Sequence, residues 1–445
     1  MIRYRADDGS LALVHVEQDG RGVVFGRWAK CEVRLASPCL SRRHFRIFWD
    51  GALLVVEDLG SSGGTFVNER CAARAVLAPG DVIAWADIWV SVESVEVLSS
   101  LPGTPIPTTE GSSLLDKATL DRARAALWGQ AIGDALGLAT EFMTSDEARL
   151  AYPHGLSRYA DIVRDDHRSR WPVGAFTDDT DQMLCILESL IACPTVDPVD
   201  IGGNIARWAA TCGLGIGRTV QRALDRNGFN TDPIAAARQA WEDGRARHAA
   251  NGAVMRTSVF GVWRLDDPAA TPAVTLAAAA GCRVTHYDPR CVASCVAVSL
   301  AIRTLVLDPQ CDREGLFNSL ADICLLLDPR CAEAFEAAAV GSVEALALDE
   351  GMSADDSGRI GYTLKALSAG LWALLHATDF ASGLSAIALA GGDGDTNAAV
   401  AGAILGARFG LDAIPLRWHH ELHESQSYAA TIERFLKAMG YLPAQ

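Results

Sequence analysis

Two short stretches of this 445-residue chain gather oxygen ligands that could hold a metal ion. One is Phe176-Thr177-Asp178-Asp179-Thr180-Asp181, at the mouth of the apolar run Gln182 to Leu190. The other is Gly391-Gly392-Asp393-Gly394-Asp395-Thr396-Asn397, ahead of the small-residue segment Ala398 to Ala407. Carboxylates this close repel one another unless a cation sits between them. Hard divalent cations take such ligands, and Mg²⁺ is usually held by a few carboxylates plus waters. Either stretch alone reads equally well as a helix cap, because Asp and Thr favour the positions before a helix and acidic groups suit its positive end. The carboxylates of Asp178, Asp179 and Asp181 together exceed what capping uses. Two such clusters brought together supply four or more oxygens, enough for a pair of ions about 3.5–4 Å apart.

The elements that must position these residues change character along the chain. Through about residue 98 the texture is strand-like: Leu11 to Val16, Phe45 to Trp49, Leu53 to Val56 and Trp85 to Val92 are apolar or alternating runs between Gly, Asp and Ser turns. That spacing predicts a β-sandwich over 1–98. Residues 99–115, rich in Pro, Gly, Ser and Thr, read as an extended linker whose threonines are themselves candidates for phosphorylation. From 116 to 445 the pattern is helical, with periods near 3.6 in Ala118 to Leu138, Gln182 to Ala192, Cys291 to Leu307, Ala332 to Ala347 and Tyr362 to His376. The expected fold is therefore multi-domain, an all-β sandwich followed by an all-α domain. Gly129, Gly133 and Gly137 fall on one stripe of the first helix. Each costs about 1 kcal/mol against Ala, so the stripe implies a neighbouring helix or a ligand in close approach. Asp134 lies beside it and Glu141 follows, where it reads by itself as a solvated helix end.

Composition narrows the function classes. With 39 basic and 55 acidic residues the net charge is −16, which argues against phosphate-neutralising nucleic-acid binding and against docking on anionic membrane. The start, Met1 to Ser10, has no apolar signal-peptide core. The longest apolar run, Cys291 to Ile302, stops at Arg303, short of a bilayer span. Twelve cysteines form no Cys-x-x-Cys pair, and Cys291 and Cys295 read as buried apolar groups. These features lead to the expectation of a soluble cytoplasmic protein. The tryptophans, Trp171, Trp208, Trp241, Trp263, Trp372 and Trp418 among them, read as core, with one free to cover an adenine.

Three loop groups, Gly26-Arg27, Ser41-Arg42-Arg43-His44 and Asp58 to Asn68, resemble in this order the forkhead-associated (FHA) domain, which binds phosphothreonine peptides. The resemblance implies that Arg27, Ser41 and Arg42 take the phosphate with Ser62 at the rim, and that His44 braces the loops. Such a set suits a dianionic phosphate through charge-assisted hydrogen bonds. The family usually has Asn before the Gly-Thr of the third loop; here that position is Gly63.

The helical part resembles the ADP-ribosylglycohydrolase family. The motifs are Gly129-x-x-x-Gly133-Asp134-x-x-Gly137 with Glu141, Thr177-Asp178-Asp179-Thr180, Asn251 to Arg256, Thr285-His286-Tyr287-Asp288-Pro289 and Gly391 to Thr396. The resemblance implies an all-α, Mg-dependent glycosidase with two Mg²⁺ (or Mn²⁺), which cleaves ADP-ribose from a side chain or other acceptor. By position, the metal ligands would be Thr177, Asp178, Asp179, Asp393, Asp395 and Thr396, with Glu141 as ligand, gate or general acid/base. Asn251, Gly252 and His286 would bind ADP-ribose, and Arg256 would touch phosphate or pair within the core. Two metals can grip the ribose diol, and cleavage at the anomeric carbon develops oxocarbenium character. Partners would be an ADP-ribosylated substrate and, through the FHA-like domain, a phosphothreonine protein. Departures are Ala250 before Asn251 in place of Gly, Gly394 in place of the central Thr, and Gly215 and Arg218 where the arginine-specific branch tends to carry Asp and Asn. Arg218 would suit a guanidinium leaving group poorly. A binding protein that holds ADP-ribosylated targets or blocks a toxin without turnover is the alternative.

Overall fold

Period-two patterning gives way to helical patterning in the computed structural model as it does in the sequence. The structure describes residues 2–5, 11–17, 21–35, 40–50, 53–61, 64–67, 70–77, 81–85, 88–92, 115–246, 248–350 and 360–442. It divides into two units, one of residues 1–110 and 269–276 and the other of residues 111–268 and 277–445. The expected linker lies almost wholly outside the described residues.

The first unit has strands β1 (Ile2–Arg5), β2 (Leu11–Val14), β3 (Val23–Gly26), β4 (Val33–Arg34), β5 (Phe45–Asp50), β6 (Leu53–Asp58), β7 (Phe66–Val67), β8 (Arg70–Cys71), β9 (Arg74–Leu77), β10 (Val82–Trp85) and β11 (Ile88–Val92). They form two sheets, ordered β2-β1-β11-β10-β7-β8 and β4-β3-β5-β6-β9. Both contribute to one core, in which Ile2, Phe25, Ile47, Val56 and Val90 are fully buried. This is the expected sandwich. The single strand expected over Trp85 to Val92 is instead parts of two antiparallel strands, with Trp85 opposite Ile88, so the apolar run spans a chain reversal.

Six helices position the site of the second unit: α1 (Lys117–Gly137), α2 (Asp178–Ala192), α3 (Arg218–Leu224), α4 (Pro289–Leu307), α5 (Thr363–Leu375) and α6 (Gly394–Phe409). The glycine stripe of α1 packs on α6. A Cβ at Gly129, Gly133 or Gly137 would lie 2.1, 2.0 and 2.1 Å from the carbonyl oxygens of Gly402, Ala398 and Gly394. Only glycine admits backbones this close, and the approach sets Asp134 and Glu141 beside the start of α6. The helix expected over Ala332 to Ala347 ends at Ala339; the chain turns through Gly341 at φ 90°, whose carbonyl accepts Trp372 Nε1–H.

Helix α4 changes one expectation. At 19 residues and mean hydropathy 1.8 it is long and apolar enough, by length and composition, to cross a membrane. It is also 89% buried inside its own unit. Arg290 near its start pairs with Asp288, and Arg303 donates to the carbonyls of Trp263, Arg264 and Asp267. Ten of the cysteines are free thiols, and of these Cys291 and Cys295 are buried on α4.

Candidate active site

Helix α2 begins at Asp178, yet its free backbone N–H groups are not capped by the local Thr177 side chain. Asp134 of α1 takes that role across the fold. Its carboxylate accepts the N–H of Thr177 (2.8 Å), the N–H of Thr180 (3.0 Å) and the Thr180 hydroxyl (2.6 Å). Capping from a neighbouring helix leaves the Asp178 and Asp179 carboxylates free for another use. Asp181 belongs elsewhere, since it accepts Trp208 Nε1–H at 2.9 Å. At the head of α6 the Asp393 side chain likewise makes no cap bond.

The two acidic clusters meet. The Thr177 hydroxyl lies 3.3 Å from Asp395 Oδ2 and 3.4 Å from Asp179 Oδ2. Glu141, Asp393 and Asp395 each bring one carboxylate oxygen within 4.8 Å of the others. Asp178 accepts Gln182 Nε2–H at 2.9 Å, Asp393 accepts Asn251 Nδ2–H, and Asp395 accepts the N–H of Thr396. Glu141 Oε2 shares a 2.6 Å hydrogen bond with His167 Nε2, and the His167 ring lies edge-on between Phe142 and Trp171. Phe142 holds a left-handed backbone (φ 62°), a conformation that bulky residues rarely adopt.

Burial makes this concentration of charge costly. Glu141, Asp178, Asp179 and Asp395 are at most 8% exposed, and Asp393 is half-buried. Among the described residues none of the five is ion-paired with Lys or Arg. Desolvation, joined by the neighbouring carboxylates, pushes Asp178 up to about 8 and holds Asp179, Asp395 and Glu141 well above the usual carboxylate range. Burial raises Asp393 to about 6 against the lowering hydrogen bond from Asn251. Among the described residues the buried Asp179 Oδ1 has no hydrogen-bond partner. An all-oxygen, anionic, uncompensated donor set of this kind fits hard divalent cations.

These carboxylates floor a cavity of about 990 Å³. Its walls include Phe142, Gly215, Arg218, Arg222, Asn251, Gly252, His286, Tyr362 and Lys365. Asn251 is held by its N–H to Gly361 O and by its side chain to Asp393. Gly252 packs on His286, so that a Cβ there would sit 3.2 Å from Nε2. Gly215 (φ 91°) lies against Asp178, where a Cβ would come within 2.5 Å of Oδ1. Among the described residues no tryptophan lines the cavity, and Phe142 and Tyr362 stand in its wall. Arg256 has no exposure and does not line the cavity; among the described residues it donates to Gln182 Oε1, Thr285 Oγ1 and Gly281 O and pairs with no carboxylate.

The family model for ADP-ribosylglycohydrolase matches residues 115–443, almost the whole helical unit and its site. The chain belongs to the ADP-ribosylglycohydrolase family. A second family model, for the FHA domain, matches residues 23–86. The ADP-ribosyl-[dinitrogen reductase] glycohydrolase of Rhodospirillum rubrum is 29% identical over 305 residues, 68% of this chain and 90% of that one. The ADP-ribosylarginine hydrolase Tri1 of Serratia proteamaculans is 26% identical over 334 residues, 72% of this chain and 80% of its own. A solved structure described as an ADP-ribosylglycohydrolase-related protein complex superposes with a TM-score of 0.54 at 27% identity, covering 73% of this chain and all of that one. The relatives named as glycohydrolases support a hydrolase.

In the N-terminal unit, the N–H of Arg27 bonds Ser41 O (3.1 Å) and that of Trp28 bonds Arg42 O (3.0 Å), so the first two loops run side by side. The approach requires Gly26, whose Cβ would meet Arg42 O at 2.5 Å. Arg27 and Arg42 are exposed and Ser41 half-buried. Buried His44 accepts the Ser41 N–H at Nδ1 and lies 3.0 Å from Gly64 O at Nε2, linking the second loop to the third. Asp58 receives the hydroxyls of Ser61 and Thr65. Ser62 and Gly63 lie outside the described residues. In the helical unit the sequence pattern does not reveal His167, in an irregular loop with no periodicity to mark it, or Gln182, which reads as an ordinary helical residue. Asp134 was visible in its Gly-Asp motif, but its capping partner was not.

Proposed function

We propose that the helical unit hydrolyses the glycosidic bond joining ADP-ribose to an acceptor, with two divalent cations bound by the carboxylate cluster. The observation that carries the reading is the meeting of the two acidic clusters at the Thr177 hydroxyl, with no Lys or Arg paired to them among the described residues. Thr177, Asp178, Asp179, Asp393, Asp395 and Thr396 would hold Mg²⁺ or Mn²⁺, with Glu141 at their edge. Cations there would supply Lewis acidity, grip on the ribose 2- and 3-hydroxyls and an acidified water. This chain's residues orient the rest. Glu141, its carboxyl pushed well above the usual carboxylate range by burial and the neighbouring carboxylates, can hand a proton to the leaving atom as the anomeric bond lengthens, and His167 fixes the direction of that carboxyl. Asn251 holds Asp393 in place.

The acceptor side departs from a guanidinium pocket. Gly215 beside Asp178 leaves that position without a carboxylate, while Arg218 and Arg222 stand exposed on the cavity wall with no ion pair among the described residues. This supports an acceptor that is not cationic. The FHA unit, through Arg27, Ser41 and Arg42, would bind a phosphothreonine partner and thereby deliver the hydrolase to it. A release assay with arginine-, serine- and nucleic-acid-linked ADP-ribose, with Mg²⁺ and with EDTA, tests the reading. Cation-dependent release from at least one non-arginine linkage is expected; failure on every linkage would refute it.

A further inference from the structure

Arg256 is among the most deeply buried groups in the helical unit, yet among the described residues it has no carboxylate partner. Its guanidinium instead opens two relays that run in opposite directions. On one side Nη1–H donates to Gln182 Oε1 (2.7 Å), and Gln182 Nε2–H donates to Asp178 Oδ2 (2.9 Å). On the other, Nη2–H donates to Thr285 Oγ1 (2.6 Å), which lies 2.8 Å from His286 Nδ1. All the members but Asp178, at 8%, are at most 2% exposed.

Donor accounting fixes the second relay. A guanidinium only donates, so Thr285 Oγ1 must accept from it and has one proton left to give. Among the described residues the acceptor within reach is His286 Nδ1. An imidazole that accepts at Nδ1 carries its proton at Nε2. Nε2 is buried, has no hydrogen-bond partner among the described residues, and belongs to a ring that lines the cavity. It lies under Gly252, where a side chain would crowd it at 3.2 Å.

We propose that Arg256 is a positioning residue that, through Thr285, locks His286 as a neutral Nε2–H donor aimed at an anionic oxygen of the bound ligand, and that through Gln182 it orients Asp178 on the opposite wall. The ligand oxygen would be one of the ADP-ribose pyrophosphate, so the ligand half rests on the function proposed above; the tautomer half does not. Desolvation together with Arg256 keeps the His286 pKa well below its ordinary value, so the donor stays uncharged. A neutral donor suits a site already crowded with acid and cation chemistry, because it recognises phosphate without titrating near neutral pH.

The test is direct. Histidine-¹⁵N-labelled full-length protein, without metal or ligand, gives ring correlations that report each tautomer, with the His286 signals assigned by their loss in H286Q. Wild type and T285S should show the Nε2–H form, and T285V, which removes the hydroxyl at nearly constant shape, should shift His286 toward Nδ1–H. Calorimetry with ADP-ribose should find T285V roughly 10- to 100-fold weaker than wild type, with T285S restoring binding. An Nδ1–H or cationic His286 in wild type, or T285V with unchanged tautomer and affinity, would overturn the proposal. If wild type shows the Nε2–H form and binds no ADP-ribose, the pyrophosphate half and the functional reading fail, while the lock stands on the NMR result.

Discussion

Replacing Asp178 with Asn should make the metal-free protein more stable while removing its function. The amide keeps the side chain's shape, and its oxygen can still accept Gln182 Nε2–H. What it removes is a buried carboxyl whose pKa is raised from 3.8 to about 8. The sign follows from linkage. A raised pKa means the folded state binds a proton that the unfolded state has released, so stability is fully present below pH 3.8 and falls as pH rises through about 8. Each unit of pH in that window costs about 1.36 kcal/mol. Wild type should therefore lose about 1 kcal/mol relative to Asp178→Asn by pH 4.5, on the order of 4 kcal/mol by pH 7, and level off above pH 8. Urea denaturation of the full chain in EDTA, followed by far-ultraviolet circular dichroism at pH 4.5, 7 and 8.5, reads the helical transition. Saturating Mg²⁺ should reverse the order, stabilising wild type by RT ln(1 + [Mg²⁺]/Kd) and the variant far less. Equal stabilities across this pH range, or equal stabilisation by Mg²⁺, would refute the electrostatic account of the cluster.

Other perturbations separate structure from chemistry. Gly133→Ala drives a Cβ to 2.0 Å from Ala398 O and should cost about 3 kcal/mol, measured as a lower urea midpoint; an unchanged midpoint would mean that α1 and α6 do not pack as described. Arg27→Ala should weaken phosphothreonine-peptide binding at least roughly tenfold in fluorescence anisotropy, with Mg²⁺-dependent hydrolysis unaltered. Arg218→Asp should raise kcat/KM on ADP-ribosyl-arginine by roughly tenfold, equivalent to about 1.4 kcal/mol; no change would remove Arg218 from acceptor selection.

Much of this was legible because it is written locally. The glycine stripe of α1 announced a close neighbour, and the acidic clusters announced themselves by excess over what a helix end needs. What sequence could not supply was the partner across the fold. Asp134 capping α2 joins residues more than 40 positions apart, and it is this bond that turns Asp178 and Asp179 from capping groups into free ligands. Arg256 read ambiguously for the same reason, since only the packed structure brings Gln182 and Thr285 to its two ends. His167 reaches Glu141 from an irregular loop with no pattern to announce it. Element ends were the least legible: the Ala-rich run past Ala339 continues in composition, but the backbone at Gly341 does not stay helical.

The most direct test of the central claim is release of ADP-ribose from a competent conjugate by the full chain and by Asp395→Asn, each with Mg²⁺ and with EDTA. Asp395 touches both clusters through Thr177 and lies within the Glu141 and Asp393 group. The account predicts release by wild type only when Mg²⁺ or Mn²⁺ is present, and none by the variant although its helical content is unchanged. Equal release in EDTA, or undiminished release by Asp395→Asn, would contradict it.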